Sequence, residues 1–165
     1  MKKFLLIAAF VAFVSFGASA QQGEAAVGLN FNFSPCLESG VSLNHIGLAA
    51  KFQYNITDAL RGEIQAGYDF KKTGVSVFTG AVNMHYLFSL GEKFKLYPIF
   101  GLGYGNVHED WDEFGSVNTG KFLLNVGAGG EVRLAEHFAM SLELKYQYMK
   151  NFGRLPISLG FAYKF

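Results

Sequence analysis

The residues of this 165-residue chain best equipped for chemistry stand together in His108-Glu109-Asp110-Trp111-Asp112-Glu113-Phe114. Glu109, Asp110, Asp112 and Glu113 offer the oxygen ligands that a hard cation such as Ca²⁺ takes, or a bridge through such an ion to lipopolysaccharide phosphates. The spacing of an EF-hand loop is absent, so the segment also reads as a solvated acidic loop. Trp111 and Phe114 are large aromatic groups of the kind that contact a partner or rest on a membrane surface. His108, Asp110 and Ser116 are residue types found at ester-cleaving sites. Residues of one short loop need not converge on an ester, however, and no motif of such enzymes accompanies them.

Other residues with chemical potential have weaker patterns. His45, His85, His108 and His137 lie far apart without the spacing of metal ligands. Gly101-Leu102-Gly103-Tyr104-Gly105 precedes a loop and no helix, so it is not a dinucleotide fingerprint. Asn55-Ile56-Thr57 matches a glycosylation sequon by chance. Cys36 is the only cysteine, which excludes an internal disulfide framework. No cofactor is implied. The remaining charged residues of note, Lys51, Arg61, Glu63, Glu131, Arg133, Glu143 and Lys145, occur singly between apolar neighbours. Their meaning depends on the elements that carry them.

Those elements are strands. Ile157, Leu159, Phe161, Tyr163 and Phe165 alternate with Ser158, Gly160, Ala162 and Lys164, and Phe138 to Tyr148 alternates in the same way. Period two gives a strand with one apolar face. Six more segments read similarly: Ala25 to Phe33, Ile46 to Tyr54, Leu60 to Phe70, Phe78 to Phe88, Phe94 to Tyr104 and Phe122 to Leu134. Pro98 interrupts the ladder in the fifth. The connections between the eight are short enough for an antiparallel meander, and the longest is expected at Asn106 to Thr119.

The N-terminus reads as an export signal. Lys2 and Lys3 precede the apolar run Phe4 to Val14, and Ala18-x-Ala20 suits a signal peptidase. Residues 1–20 are therefore expected to be removed, leaving 21–165 as one domain. Half of the residues are hydrophobic and 16% are aromatic, yet no later run approaches the length of a transmembrane helix. Without Lys2 and Lys3 the acidic and basic residues nearly balance, which excludes a nucleic-acid footprint.

Alternation alone leaves open whether the apolar face meets lipid or encloses a ligand. The opposite face decides between them, because it carries Gly28, Gly47, Gly67, Gly101, Gly103, Gly127, Gly129 and Gly160. Glycine suits the crowded interior of a narrow eight-stranded barrel and offers little to a solvated face. The apolar face is therefore read as lipid-facing, with Tyr and Phe at its edges as interfacial girdles. The seven charged residues then fall inside, where nearly balanced signs allow a salt-bridged plug or a narrow ion path.

With its signal, its alternating strands and the ending Phe161-Ala162-Tyr163-Lys164-Phe165, the chain resembles the small outer-membrane β-barrels of the OmpA-transmembrane-domain and OmpX-like group. That resemblance implies an eight-stranded antiparallel up-and-down barrel in the bacterial outer membrane, with periplasmic termini. It also implies insertion by the outer-membrane assembly machinery, which would read Phe161, Tyr163 and Phe165. The expected partners are outer-membrane lipid, lipopolysaccharide and an unknown surface ligand. The role it implies is non-enzymatic: envelope integrity or surface interaction. A small-lumen transport or binding barrel is the alternative, and a lipid A-modifying enzyme a remote one. Since the sequence stops at the barrel, a periplasmic peptidoglycan-binding domain is not expected.

Overall fold

A computed structural model of the chain describes residues 22–35, 44–72, 75–111, 115–150 and 152–165. The expected signal peptide and Cys36 lie outside these residues. Ten strand segments follow in order: β1 (Ala25–Pro35), β2 (Asn44–Asn55), β3 (Leu60–Lys72), β4 (Val75–Tyr86), β5 (Phe88–Ser89), β6 (Phe94–Trp111), β7 (Gly115–Arg133), β8 (Phe138–Met149), β9 (Phe152–Arg154) and β10 (Ile157–Lys164). Every pairing is antiparallel, and β10 pairs with both β8 and β1, so the sheet closes on itself. Closure gives every wall strand a neighbour on each side, the condition for a sheet to cross lipid.

The ten segments form eight staves, because two staves are interrupted. His85 pairs with Ile99 and Phe88 with Leu96 in one register, so β5 continues β4 along β6. The lapse between them lies opposite Pro98, which has no N–H for the ladder. Likewise Arg154 pairs with Gln147 and Ile157 with Leu144, so β9 leads into β10 along β8. Here the break contains Pro156, and the Pro156 carbonyl still accepts from Lys145 N at 3.0 Å.

Period two places the two faces as the sequence suggests. Along β8 and β10, exposed Leu142, Leu144, Tyr146, Leu159 and Phe161 alternate with buried Ser141, Glu143, Lys145, Ser158 and Ala162. The exposed face of all eight staves is apolar, with Leu29, Phe31, Ile46, Ile64, Phe100 and Phe122 standing clear of the wall. Aromatic clusters mark its edges. Tyr163 packs against Phe138 and Phe165 with ring centroids 5.2 and 5.3 Å apart at the end bearing the termini, and Tyr68 meets Phe70 at 5.8 Å at the other. Among the described residues no helix is long and apolar enough to cross a membrane.

Inward glycines give long neighbours room to lie across the wall. A methyl group on Gly129 would collide with the Tyr97 ring, and one on Gly160 with the Asn30, Ser141 and Lys51 side chains. The space these two glycines leave is occupied by polar side chains of neighbouring strands, as a narrow barrel requires.

One connection differs from expectation. The sequence reads Asn106 to Thr119 as the longest connection, but β6 and β7 remain paired from Phe94↔Val132 out to Trp111↔Gly115. Their neighbours stop sooner, β4 at Val75↔Glu109 and β8 at Met149↔Leu123. The described parts of this segment, 106–111 and 115–119, are paired arms of β6 and β7 that outrun the barrel wall. Past the bilayer both faces of a strand meet water, so the alternation that betrays a strand disappears.

Candidate functional site

The polar interior is built in three tiers. At the end bearing the termini, Glu131 of β7 receives Arg61 of β3, Nη1 at 2.7 Å and Nη2 at 3.5 Å, and Lys164 of β10 at 2.7 Å. Lys164 also lies 3.7 Å from Glu24, while Asn55 donates to Glu24 at 3.2 Å and accepts from Arg61 Nε at 2.9 Å. The period-two pattern puts these residues on the inner side of four different staves. Their convergence requires the closed sheet.

The middle tier centres on two carboxylates. Glu143 accepts from Lys145 at 2.9 Å, Lys51 at 3.4 Å, Tyr97 at 3.1 Å and Asn30 at 3.5 Å. Glu63 accepts from Gln53 and Asn83, each at 2.8 Å, and lies 3.8 Å from His85 Nε2. His85 stacks on Tyr97 with ring centroids 4.8 Å apart. Lys51 also reaches Ser141 at 3.0 Å and Lys145 reaches Gln65 at 3.1 Å. Buried charges are costly unless paired and hydrogen-bonded, and these carboxylates are answered from several strands at once.

The third tier lies toward the opposite mouth and is simpler. Arg154 of β9 donates to Asp69 of β3, and its Nε donates to Gln147 of β8 at 2.7 Å. Beneath Arg154 is a polar cavity of about 10 Å³ lined by Asn32, Ser34, Gln65, Lys145 and Ser158 among others. It has room for about one water. Two apolar clusters share the interior with these groups: Leu87, Tyr97 and Ile99 pack together near the termini, and Ala81, Leu123 and Met149 toward the other end. This arrangement is a packed plug tied across the barrel by charge.

Six of the seven charged residues singled out from the sequence, Lys51, Arg61, Glu63, Glu131, Glu143 and Lys145, are buried in this interior. Arg133 is the correction. It has the inward parity but ends β7 at its pairing with Ala139 and is only half-buried, because beyond the last pair the inner side is the open mouth. Sequence reasoning missed Asp69, Lys95, Lys164 and Arg154. The first three carry the same signal as the others, each standing between two outward apolar or aromatic residues. Arg154 does not, since it falls in a stretch with no alternation.

The acidic segment is placed in part. Glu109, Asp110 and Trp111 belong to β6, where their backbones pair with Val117, Ser116 and Gly115. Asp112, Glu113 and Phe114 lie outside the described residues. Phe161, Tyr163 and Phe165 line the outer face of the closing strand, with Phe165 68% exposed.

A lipid-facing barrel with a filled polar interior is the architecture of a small outer-membrane protein, and the chain belongs to the outer membrane protein beta-barrel domain family, whose model matches residues 5–165. No curated protein matches the sequence. Its fold is similar to that of Neisserial surface protein A, with a TM-score of 0.76, 16% identity, and coverage of 87% of this chain and 100% of that one. It is also similar to Ail, the attachment invasion locus protein of Yersinia pestis, with a TM-score of 0.69, 20% identity, and coverage of 88% and 100%. The N-terminal barrel domain of Pseudomonas aeruginosa OprF gives a TM-score of 0.68 at 20% identity, with coverage of 87% and 100%. These likenesses concern the fold.

Proposed function

We propose that this outer-membrane barrel acts without catalysis, as an envelope protein whose β6–β7 hairpin is a surface-interaction element. The observation that carries the reading is the overhang: β6 and β7 stay paired to Trp111↔Gly115, while β8 leaves β7 at Leu123. Among the described residues, the β7 backbone from Gly115 to Phe122 therefore pairs on one side only. An edge of this kind is a template for an extended segment of another protein. In outer-membrane barrels the longer connections face outward, so the hairpin is extracellular and the termini are periplasmic.

One structural neighbour, Ail, is named for attachment and invasion and has been crystallised with a heparin analogue. The hairpin here has the opposite electrostatic preference, since Glu109, Asp110, Asp112 and Glu113 stand at its tip in sequence. Its favoured partner is a protein segment, preferably basic, in place of a sulfated sugar. Lipopolysaccharide and lipid surround the apolar wall, and the assembly machinery reads the outward Phe161, Tyr163 and Phe165. The test replaces residues 106–119 by a two-residue turn. The shortened protein should reach the outer membrane in normal amount, while cells displaying it lose adherence to immobilised protein ligands. Unchanged adherence would remove the hairpin from the function.

A further inference from the structure

The overhang has a direction. β7 descends from Gly115 toward the membrane and β8 leaves it at Leu123, so the vacant side of residues 115–122 is the place of a strand that would continue β8 outward. Charge and shape differ between the two ends of that place. At the far end, Glu109 and Asp110 of β6 pair with Val117 and Ser116, and Asp112 and Glu113 follow in sequence. At the near end stands half-buried Lys121, with exposed Phe122 next to it. The outer face is also built up here. Tyr104 pairs with Phe122 across the ladder and is 59% exposed, and its phenol oxygen occupies the place where a side chain at Gly120 would begin. The ring therefore lies over β7 toward the vacant edge, and Tyr104 and Phe122 make an aromatic shelf beside it.

We infer that the overhang takes an extended peptide segment in one orientation, antiparallel to β7, with an apolar side chain at its N-terminal end and basic side chains at its C-terminal end. This rests on the overhang being the surface-interaction element, and adds the polarity and composition of what it binds. Antiparallel pairing continues the sheet as β8 builds it and is the slightly more stable geometry per residue. Running outward, such a segment begins beside Phe122 and ends beside Gly115. Its first outward side chain meets the Phe122 and Tyr104 rings, a contact that favours a β-branched or aromatic residue. A basic residue at that end would stand opposite Lys121, and like charges directly opposite destabilise a pair. At the other end the four carboxylates attract it. Backbone pairing supplies the affinity, while the shelf and the charge gradient supply the selection.

The probe is a capped octapeptide, Val-Thr-Val-Thr-Val-Thr-Arg-Arg, and its control is the same sequence reversed. In titrations onto the full barrel in lipid nanodiscs at low salt, where charge selection is strongest, the forward peptide should bind several-fold more tightly than the reversed one. Tyr104→Ala should weaken the forward peptide several-fold. Gly120→Ala should do the same by displacing the ring, and the double variant should lose no more than either alone. Lys121→Glu should narrow the difference between the peptides. N-methylation of alternate amides in the forward peptide, which needs no variant, should abolish its binding. Equal binding of the two peptides, tighter binding of the reversed one, binding of neither, or indifference to N-methylation overturns the inference. Replacement of residues 106–119 separates it from the surface role: adherence lost without a preference between the peptides leaves that role and removes its polarity.

Discussion

The two mouths of the lumen are closed in different ways. Near the termini, Arg61, Glu131, Lys164, Glu24 and Asn55 interlock from separate staves and the adjoining N-terminal segment, so loss of one contact leaves others in place. Among the described residues, the opposite mouth is spanned by Arg154, carried by the three-residue β9 and held by Asp69 and Gln147. A network spread over the wall is rigid because its members share partners. A single side chain on a short segment can leave its partners together. If the barrel ever conducts, the hinge of that event is at Arg154, and the network near the termini is a fixed foundation.

The largest effect should come from the network. Glu131→Ala leaves Arg61 with Asn55 but no paired carboxylate and Lys164 with Glu24 alone, and breaking a buried pair in this way costs about 3–5 kcal/mol. Urea unfolding of the refolded barrel in lipid vesicles measures it, and a loss below about 1 kcal/mol would remove the distinction between the mouths.

Arg154→Ala should cost less, about 1–2 kcal/mol, because water entering the vacated mouth rehydrates Asp69. It should instead change conductance. Planar-bilayer recordings should show brief small openings in the variant and an almost silent wild type. A large steady pore in the wild type would contradict the plugged interior altogether.

A methyl group between the two ends sharpens the comparison further. Gly160→Ala pushes on Lys51, Asn30 and Ser141 at once. All three can yield at their tips, so the expected cost is about 1 kcal/mol by the same unfolding assay. Arg133→Ala, which removes a half-buried charge outside the network, should stay within about 0.5 kcal/mol. A larger loss would extend the network to the rim.

The fold was legible because the bilayer imposes its code on every residue that crosses it. Leu142, Leu144, Tyr146 and Tyr148 must face lipid, so Glu143, Lys145 and Gln147 must face inward, and the same parity would have yielded Asp69, Lys95 and Lys164. Pairing partners were not legible. Lys51 meets Glu143 because the sheet closes, and no local pattern encodes a contact between the second and seventh staves. The hairpin escaped for the complementary reason. Beyond the lipid, Asn106 to Thr119 needs no apolar face, so its strand geometry is recorded only in the backbone ladder. Arg154 sat between the two, inside the barrel but next to a proline-broken stave without alternation.

Closure of β10 against both β1 and β8 also governs when the molecule comes into being. Until the last stave arrives, the chain is an open ribbon with two sticky margins, one at each end of its length, and neither can be shielded by local folding. Ala26 must find Lys164, the most distant kind of encounter this chain can make, and such encounters are slow. The same event delivers Lys164 to Glu131, so the interior lock and the outer seam are completed by a single stave. The barrel is therefore sealed from outside and bolted from within in one step, and a chain lacking its final residues has neither.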